Sequence, residues 1–231
     1  MTILRMSLKI KLDWKKVLKW GAIIIFGILF IIFFVRVATF EDSYYREKEG
    51  SERAEVVSGE DELLDETVPT GEDLQSYVVS GDRPRFLSIE KLGVKNSRII
   101  AVGVKANGEL GTPTNIFDVG WYESSGKPGE GKTMVIDGHN GGPHVHGVFK
   151  DLPNLASGDI IRIERGDGTI FEYTVVENKT VALSEADDYM KTAFRTPVEG
   201  KESLTLISCT GDWSDQQRTY LSRQFVRAIL V

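Results

Sequence analysis

The chain has one cysteine, Cys209, and only three histidines, His139, His144 and His146. A single thiol excludes an internal disulfide and leaves Cys209 as a potentially reactive group. The shortage of ligands also argues against zinc: no nearby Cys or Glu completes a set around the His-x-His of 144 and 146. Positive charge is not in excess, the formal net charge being −6. A mildly acidic C-terminal part lacks the footprint of a nucleic-acid binder. No internal repeat or low-complexity tract is visible. The expectation is therefore a protein with no metal, no cofactor and no nucleic-acid partner.

What the chain does have is one long apolar run. Trp20 to Val35 is unbroken, and the flanking residues extend it to a segment over 17–40 that can cross a bilayer. A span needs roughly 20 residues for a hydrocarbon core of about 30 Å. Lys19 and Arg36 sit near its ends, where long side chains reach the headgroups. Arg5, Lys9, Lys11, Lys15, Lys16 and Lys19 precede or border it against the single Asp13. Residues 41–85 hold fourteen acidic side chains and five basic ones. This asymmetry places the N-terminus in the cytoplasm and the rest outside, as a single-pass cell-membrane protein. A cleaved signal peptide would carry a shorter apolar region, about 7–15 residues, ending in small residues. Val35-Arg36-Val37 offers no such site. A helix buried in a soluble core fits poorly too, because Ile23 to Phe34 has no polar face.

The expected organisation is a cytoplasmic tail at 1–16, an anchor at 17–40, an acidic flexible linker at 41–82 and a folded domain at 83–231. The linker is too poor in apolar residues to offset its chain entropy, though short helical turns are possible near Asp61-Glu62-Leu63-Leu64. The domain reads as all-β, with strands expected over 85–89, 97–104, 133–136, 159–165, 169–176, 203–209 and 224–231. Ile161, Ile163, Phe171, Tyr173 and Val175 alternate across the turn Gly166-Asp167-Gly168, which signals a hairpin. A helix capped by Ser184 is expected, with Glu185, Asp187 and Asp188 in its early turns.

Two apolar runs end in chemistry-bearing residues. Thr205-Leu206-Ile207-Ser208 leads into Cys209, and Met134-Val135-Ile136 leads into Asp137-Gly138-His139. Arg223 follows fourteen residues after the cysteine, just before the last apolar run. A thiolate attacks carbonyls, and an imidazole can activate it and protonate the leaving group. Each residue has a plainer reading. A lone cysteine is often a small buried hydrophobe, and a histidine among glycines is often a surface residue. His144 and His146 rival His139, and Arg218 in the polar 214–218 loop rivals Arg223. Arg227 shares a face with Arg223 only where the strand pairing is regular.

The combination resembles the sortase family, the cysteine transpeptidases of Gram-positive bacteria. Thr205-Leu-Ile-Ser-Cys209 is similar to the family's TLxTC motif, Ile136-Asp-Gly-His139 to its Gly-His motif, and Arg223-Gln-Phe-Val-Arg-Ala228 to its arginine strand. Gly120-Trp121-Tyr122 and Pro128-Gly129-Glu130-Gly131 match segments ahead of the histidine in several subfamilies. Ser208 replaces the usual threonine, and Asp137 stands where a small or apolar residue is common. The resemblance implies an eight-stranded sortase-type β-barrel with short helices, preceded by one N-terminal transmembrane helix. It implies that Cys209, His139 and Arg223 cleave an LPXTG-like sorting motif through a thioacyl intermediate. The partners implied are secreted proteins bearing that motif, and an amine of a peptidoglycan precursor or a pilin. Substrate contacts are expected at Ser208 and, in the 182–201 connection, at Met190, Ala193 and Phe194. A plainer role for Met190 and Phe194 is packing of a helix on the barrel. A hydrolytic cysteine endopeptidase and a non-catalytic β-barrel binding module are the alternatives. Ordinary pKa values put the thiolate–imidazolium pair at about 1% of the neutral pair, a small fraction that the site either tolerates or shifts.

Overall fold

The computed structural model describes residues 64–231 apart from 106, 107 and 109. The expected tail, the apolar span and the first part of the linker lie outside the described residues. Among the described residues, no helix is long and apolar enough to cross a membrane.

Eight strands close into a barrel in the order β1-β2-β3-β4-β7-β8-β6-β5. They are β1 Pro84–Ile89, β2 Val94–Val102, β3 Val119–Tyr122, β4 Thr133–Gly138, β5 Ile160–Arg165, β6 Ile170–Ala182, β7 Ser203–Ser214 and β8 Thr219–Leu230. Seven of these answer to the expected runs. The exception is β3, which has four residues with a glycine among them and so shows almost no alternation. The β5–β6 hairpin turns at the expected glycines, with Gly168 at φ +85°.

Most neighbouring strands run antiparallel, but β2–β3 and β4–β7 are parallel. A parallel pair needs a long crossover. Between β4 and β7 that crossover contains β5, β6 and the helix α2, Leu183–Ala193, numbered after the short helix α1, Gly71–Ser76. The caps of the two helices differ. Thr70 caps α1, accepting from the Asp73 amide while the Asp73 carboxylate accepts from the Thr70 amide. The helix α2 is entered at Ala182, two residues before the expected cap, so Ser184 lies inside its first turn and no side chain caps it.

Period-two alternation sorts β4, β7 and β8 into two faces. Met134, Ile136, Leu204, Leu206, Val226 and Ala228 point inward and fill the barrel with Leu87, Ile99, Trp121, Ile161 and Tyr173. Val135, Ile207 and Phe225 point outward and form a second cluster with Val181 and Ala193, against which Tyr122, Tyr189 and Met190 pack. The outer cluster fastens α2 to the sheet. Thr205 Oγ1 donates to Ala193 O (2.8 Å), and the Tyr189 ring lies 4.8 Å from that of Phe225. Arg227 shares this outer face and donates to Glu177 Oε2 and to Arg195 O (2.8 Å each), so it steadies the exit of α2 outside the site.

The chain is already docked on the barrel from Leu64, ahead of the expected domain start at 83. Asp65 N donates to Thr114 O and Ile116 N donates to Asp65 O (3.0 Å each). Asn115 Nδ2 donates to Asp65 Oδ2 and Thr67 O, and Glu66 Oε1 accepts from the His144 and Val145 amides. Hydrogen bonds of backbone and polar side chains rather than apolar burial hold this strap, which is why its polar composition reads as a linker. A protein starting at residue 64 is therefore expected to be more stable than one starting at 83, by roughly 2–4 kcal/mol, since each such bond nets about 1 kcal/mol. Paired thermal denaturation checks this; equal melting temperatures would show that the strap contributes nothing.

Candidate active site

Strand register pairs Cys209 with Arg223 and sets β4, which leads into His139, alongside β7. The parallel β4–β7 ladder runs to Asp137 and Ile207, and His139 and Cys209 each follow two residues later. The antiparallel β7–β8 ladder pairs Cys209 directly with Arg223. Alternation from Ile207 and Phe225 puts the thiol and the guanidinium on the outer face, beyond the buried cluster of Val135, Ile207 and Phe225. Regular pairing does not stop at Cys209 as expected. It continues to Thr210, shifts register before Trp213, and resumes as a projecting hairpin to Ser214 and Thr219. Gly211, at φ +81°, supplies the break. The cysteine therefore sits just ahead of a bulge, not at a strand's terminus.

His139 is held by one edge. Its Nε2 lies 2.7 Å from Pro113 O. A carbonyl only accepts, so Nε2 carries the hydrogen and Nδ1 is the basic nitrogen of the neutral ring. Burial and the charge of Lys105 lower the imidazole pKa, against the Pro113 bond, which raises it. Burial raises the Cys209 thiol; Arg223 opposes that rise and Asp137 adds to it. Both shifts favour neutral partners, so the resting site holds a thiol and an uncharged imidazole, with the ion pair below its reference population. Arg223 is braced by its own strand end, donating to Tyr220 O (2.9 Å), Ser222 O (3.0 Å) and Thr219 Oγ1 (3.2 Å).

Asp137 belongs to this surface, although the sequence marks it only as a departure from a motif. Its carboxyl accepts from Thr112 Oγ1 at Oδ2 (2.6 Å), while buried Oδ1 has no hydrogen-bond partner. Burial raises its pKa to about 7. The paired residue on β3 is Gly120, and a Cβ there would lie 2.3 Å from Oδ1. The glycine thus gives the carboxyl its place, a dependence that no single-strand pattern carries.

Two expected substrate contacts are elsewhere. Ser208 faces the barrel interior, 3% exposed, and donates to Gly138 O (2.9 Å). It ties β7 to β4 beneath the site, because alternation turns it away from the face that carries Cys209. Ala193 is fully buried under α2 in the outer cluster. Met190 is partly buried against the same cluster, and Phe194 is exposed, edge-on to Tyr122 with ring centroids 5.5 Å apart. Of the rivals, His144 and His146 lie on the 141–146 turn, where Gly141 bridges His146. Among the described residues, no three His, Cys, Asp or Glu side chains group as metal ligands. Arg218 sits in the β7–β8 turn at φ +50°.

The family model described as the sortase domain matches residues 87–231. The chain is similar to the pilus-related sortase C of Group B Streptococcus, at 23% identity and TM-score 0.47 over 74% of this chain and 78% of that one. It is similar to the Clostridium perfringens sortase D5 transpeptidase, at 23% identity and TM-score 0.45 over 70% and 89%. A sortase from Actinomyces oris aligns at 20% identity and TM-score 0.48 over 67% and 82%. Comparison with curated proteins gave no match.

A carboxyl whose folded pKa is raised contributes most stability below its unfolded value and loses it as pH rises through the folded one. For Asp137 that window runs from 3.8 to about 7. Wild type is expected to lose a few kcal/mol across it, and Asp137→Asn should flatten that part of the curve. Chemical denaturation at pH 5 and pH 8 measures both slopes. Parallel curves for the two proteins would contradict the burial of an ionisable group there.

Proposed function

The chain belongs to the sortase family, and we propose that it is a membrane-anchored cysteine transpeptidase whose nucleophile is Cys209. The observation that carries this reading is the register that pairs Cys209 with Arg223 across β7–β8, with β4, the strand that leads into His139, paired to β7 on its other side. In this reading the substrates are secreted proteins with an LPXTG-like sorting motif. The acceptor is an amine of a peptidoglycan precursor or a pilin. Residues 17–40 anchor the enzyme and the catalytic domain is extracellular.

The reaction follows from the groups present. Cys209 Sγ, as thiolate, attacks the scissile carbonyl, and the peptide C–N bond breaks to give a thioester. Protonated His139 delivers its proton to the departing amine from Nδ1, the edge that Pro113 leaves open. The neutral ring then takes a proton from the incoming amine, which attacks the thioester and regenerates the thiol. Arg223, held by three oxygens of its own turn, presents its remaining N–H donors to the substrate backbone or the oxyanion. Met190 and Phe194, at the end of α2 where it packs on this outer face, are the apolar side chains offered to a short extended peptide. A thioester keeps its acyl group reactive, so an amine competes with water.

Cys209→Ala is expected to remove cleavage and transfer entirely, and His139→Ala to cost nearly as much, because the two act as a unit. His144→Ala and His146→Ala should stay near wild type. Products are scored by mass spectrometry of the full-length protein with sorting peptides, with and without an added amine. Turnover by Cys209→Ala would exclude the mechanism, and identical hydrolysis with or without amine would favour an endopeptidase. Because the thiol is raised and the imidazole lowered, the kcat/KM profile should fall below pH 6.5 on the acid side and above pH 9 on the alkaline side. Limbs inside that interval would contradict the two shifts.

A further inference from the structure

The buried carboxyl beside the site has no role in the steps above, and an apolar side chain would fill its place with less loss of stability. An ionisable group with an unpartnered oxygen is costly to bury. Such groups concentrate where they serve chemistry. The contacts of Asp137 indicate what that service is. They lead, through two consecutive residues, to the histidine.

The connection from β2 to β3 folds back over the outer face. Gly111 N donates to Gly103 O (2.8 Å), and Val104 bridges Leu110. Next in the chain come Thr112 and Pro113. The Thr112 hydroxyl donates to Asp137 Oδ2 at 2.6 Å, and the following carbonyl, Pro113 O, accepts from His139 Nε2 at 2.7 Å. Asp137 and His139 are two residues apart at the end of β4, so a single dipeptide spans both side chains. On its other side the segment is pinned by Asn115, which donates to Asp65 Oδ2 and Thr67 O. Pro113 itself has no amide hydrogen, so its carbonyl is located by its neighbours' anchors. The Asp137 carboxyl fits only because residue 120 is glycine, and a Cβ there would also meet Pro113 Cδ at 3.0 Å. Gly120, Asp137, Thr112 and Pro113 thus pack as one unit with the imidazole as its output.

We propose that Asp137 is a positioning residue, acting through Thr112 to hold the Pro113 carbonyl where it fixes the tautomer and orientation of His139. The inference rests on the transpeptidase reading of Cys209 and His139. It also explains the departure at position 137. Instead of a small residue, this chain carries the acceptor that locks the 112–113 turn. Correct placement of a proton-transfer group within about 0.5 Å is worth large factors in rate. The charged and titratable groups around the carboxyl are Lys105 from the β2–β3 connection, Cys209 from β7 and, acting on that thiol, Arg223 from β8. None of them hydrogen-bonds Asp137 among the described residues, so Thr112 is its mechanical link to the site.

The test uses the full-length protein with 15N-labelled imidazoles and a sorting peptide plus amine. Thr112→Val keeps the shape and removes the donor; Thr112→Ser keeps the donor; Asp137→Asn keeps an acceptor and removes the charge. Thr112→Val is expected to lower kcat on the order of tenfold or more with KM within about twofold. The Nε2–H tautomer of His139 should lose its dominance in the same variant. Thr112→Ser and Asp137→Asn should retain the wild-type tautomer, and Thr112→Ser should recover most of kcat. A Thr112→Val variant with wild-type tautomer and kcat would overturn the proposal, as would a Thr112→Ser variant no better than valine. The tautomer readout needs no turnover. If wild type acts on no peptide, the transpeptidase reading fails while the nitrogen spectra still decide the positioning role.

Discussion

The site depends on how β7 is held, with a parallel partner on one side, β4, and an antiparallel partner on the other, β8. The parallel side carries the histidine forward with the cysteine, and the antiparallel side sets the arginine opposite. Side-chain bonds fix this arrangement from both faces. Inside, Ser208 donates to Gly138 O, while Thr133 and Ser203, both on the outer face, bond each other. Outside, Thr205 holds the end of α2. A register slip of one residue would turn Cys209 into the core and bring Ser208 out, so the same ladders secure both stability and chemistry.

The electrostatics place the resting site on the uncharged side of its equilibrium. Burial disfavours both ions, and the nearby Asp137 charge further disfavours the thiolate, leaving Arg223 as the attractive partner. A neutral thiol is a poor nucleophile toward water-borne electrophiles. The reactive ion pair is then a minor species.

Much of this is legible in the sequence. Apolar alternation marks seven of the eight strands and the β5–β6 turn, and the residues flanking the two runs name Cys209, His139 and Arg223. What stays hidden depends on partners distant in the chain. β3 is too short and too glycine-rich to announce itself, and the strap at 64–70 is held by hydrogen bonds to partners distant in the chain, which composition does not reveal. Ser208 and Ala193 suggest substrate contacts because their positions flank the site. Strand parity and packing under α2 turn both inward. The role of Asp137 requires Thr112, Pro113 and Gly120 from a separate connection, none of which a local motif could join to it.

The mechanism stands or falls on whether Cys209, presented beside Arg223 and His139, carries the acyl group. The most direct measurement is intact-mass analysis of the full-length protein quenched in acid during turnover of a sorting peptide, followed by peptide mapping. The expected result is an adduct equal to the N-terminal acyl fragment, attached to Cys209 and discharged when an amine is added. Cleavage of the peptide with no adduct on Cys209, or with the adduct on another side chain, would contradict it.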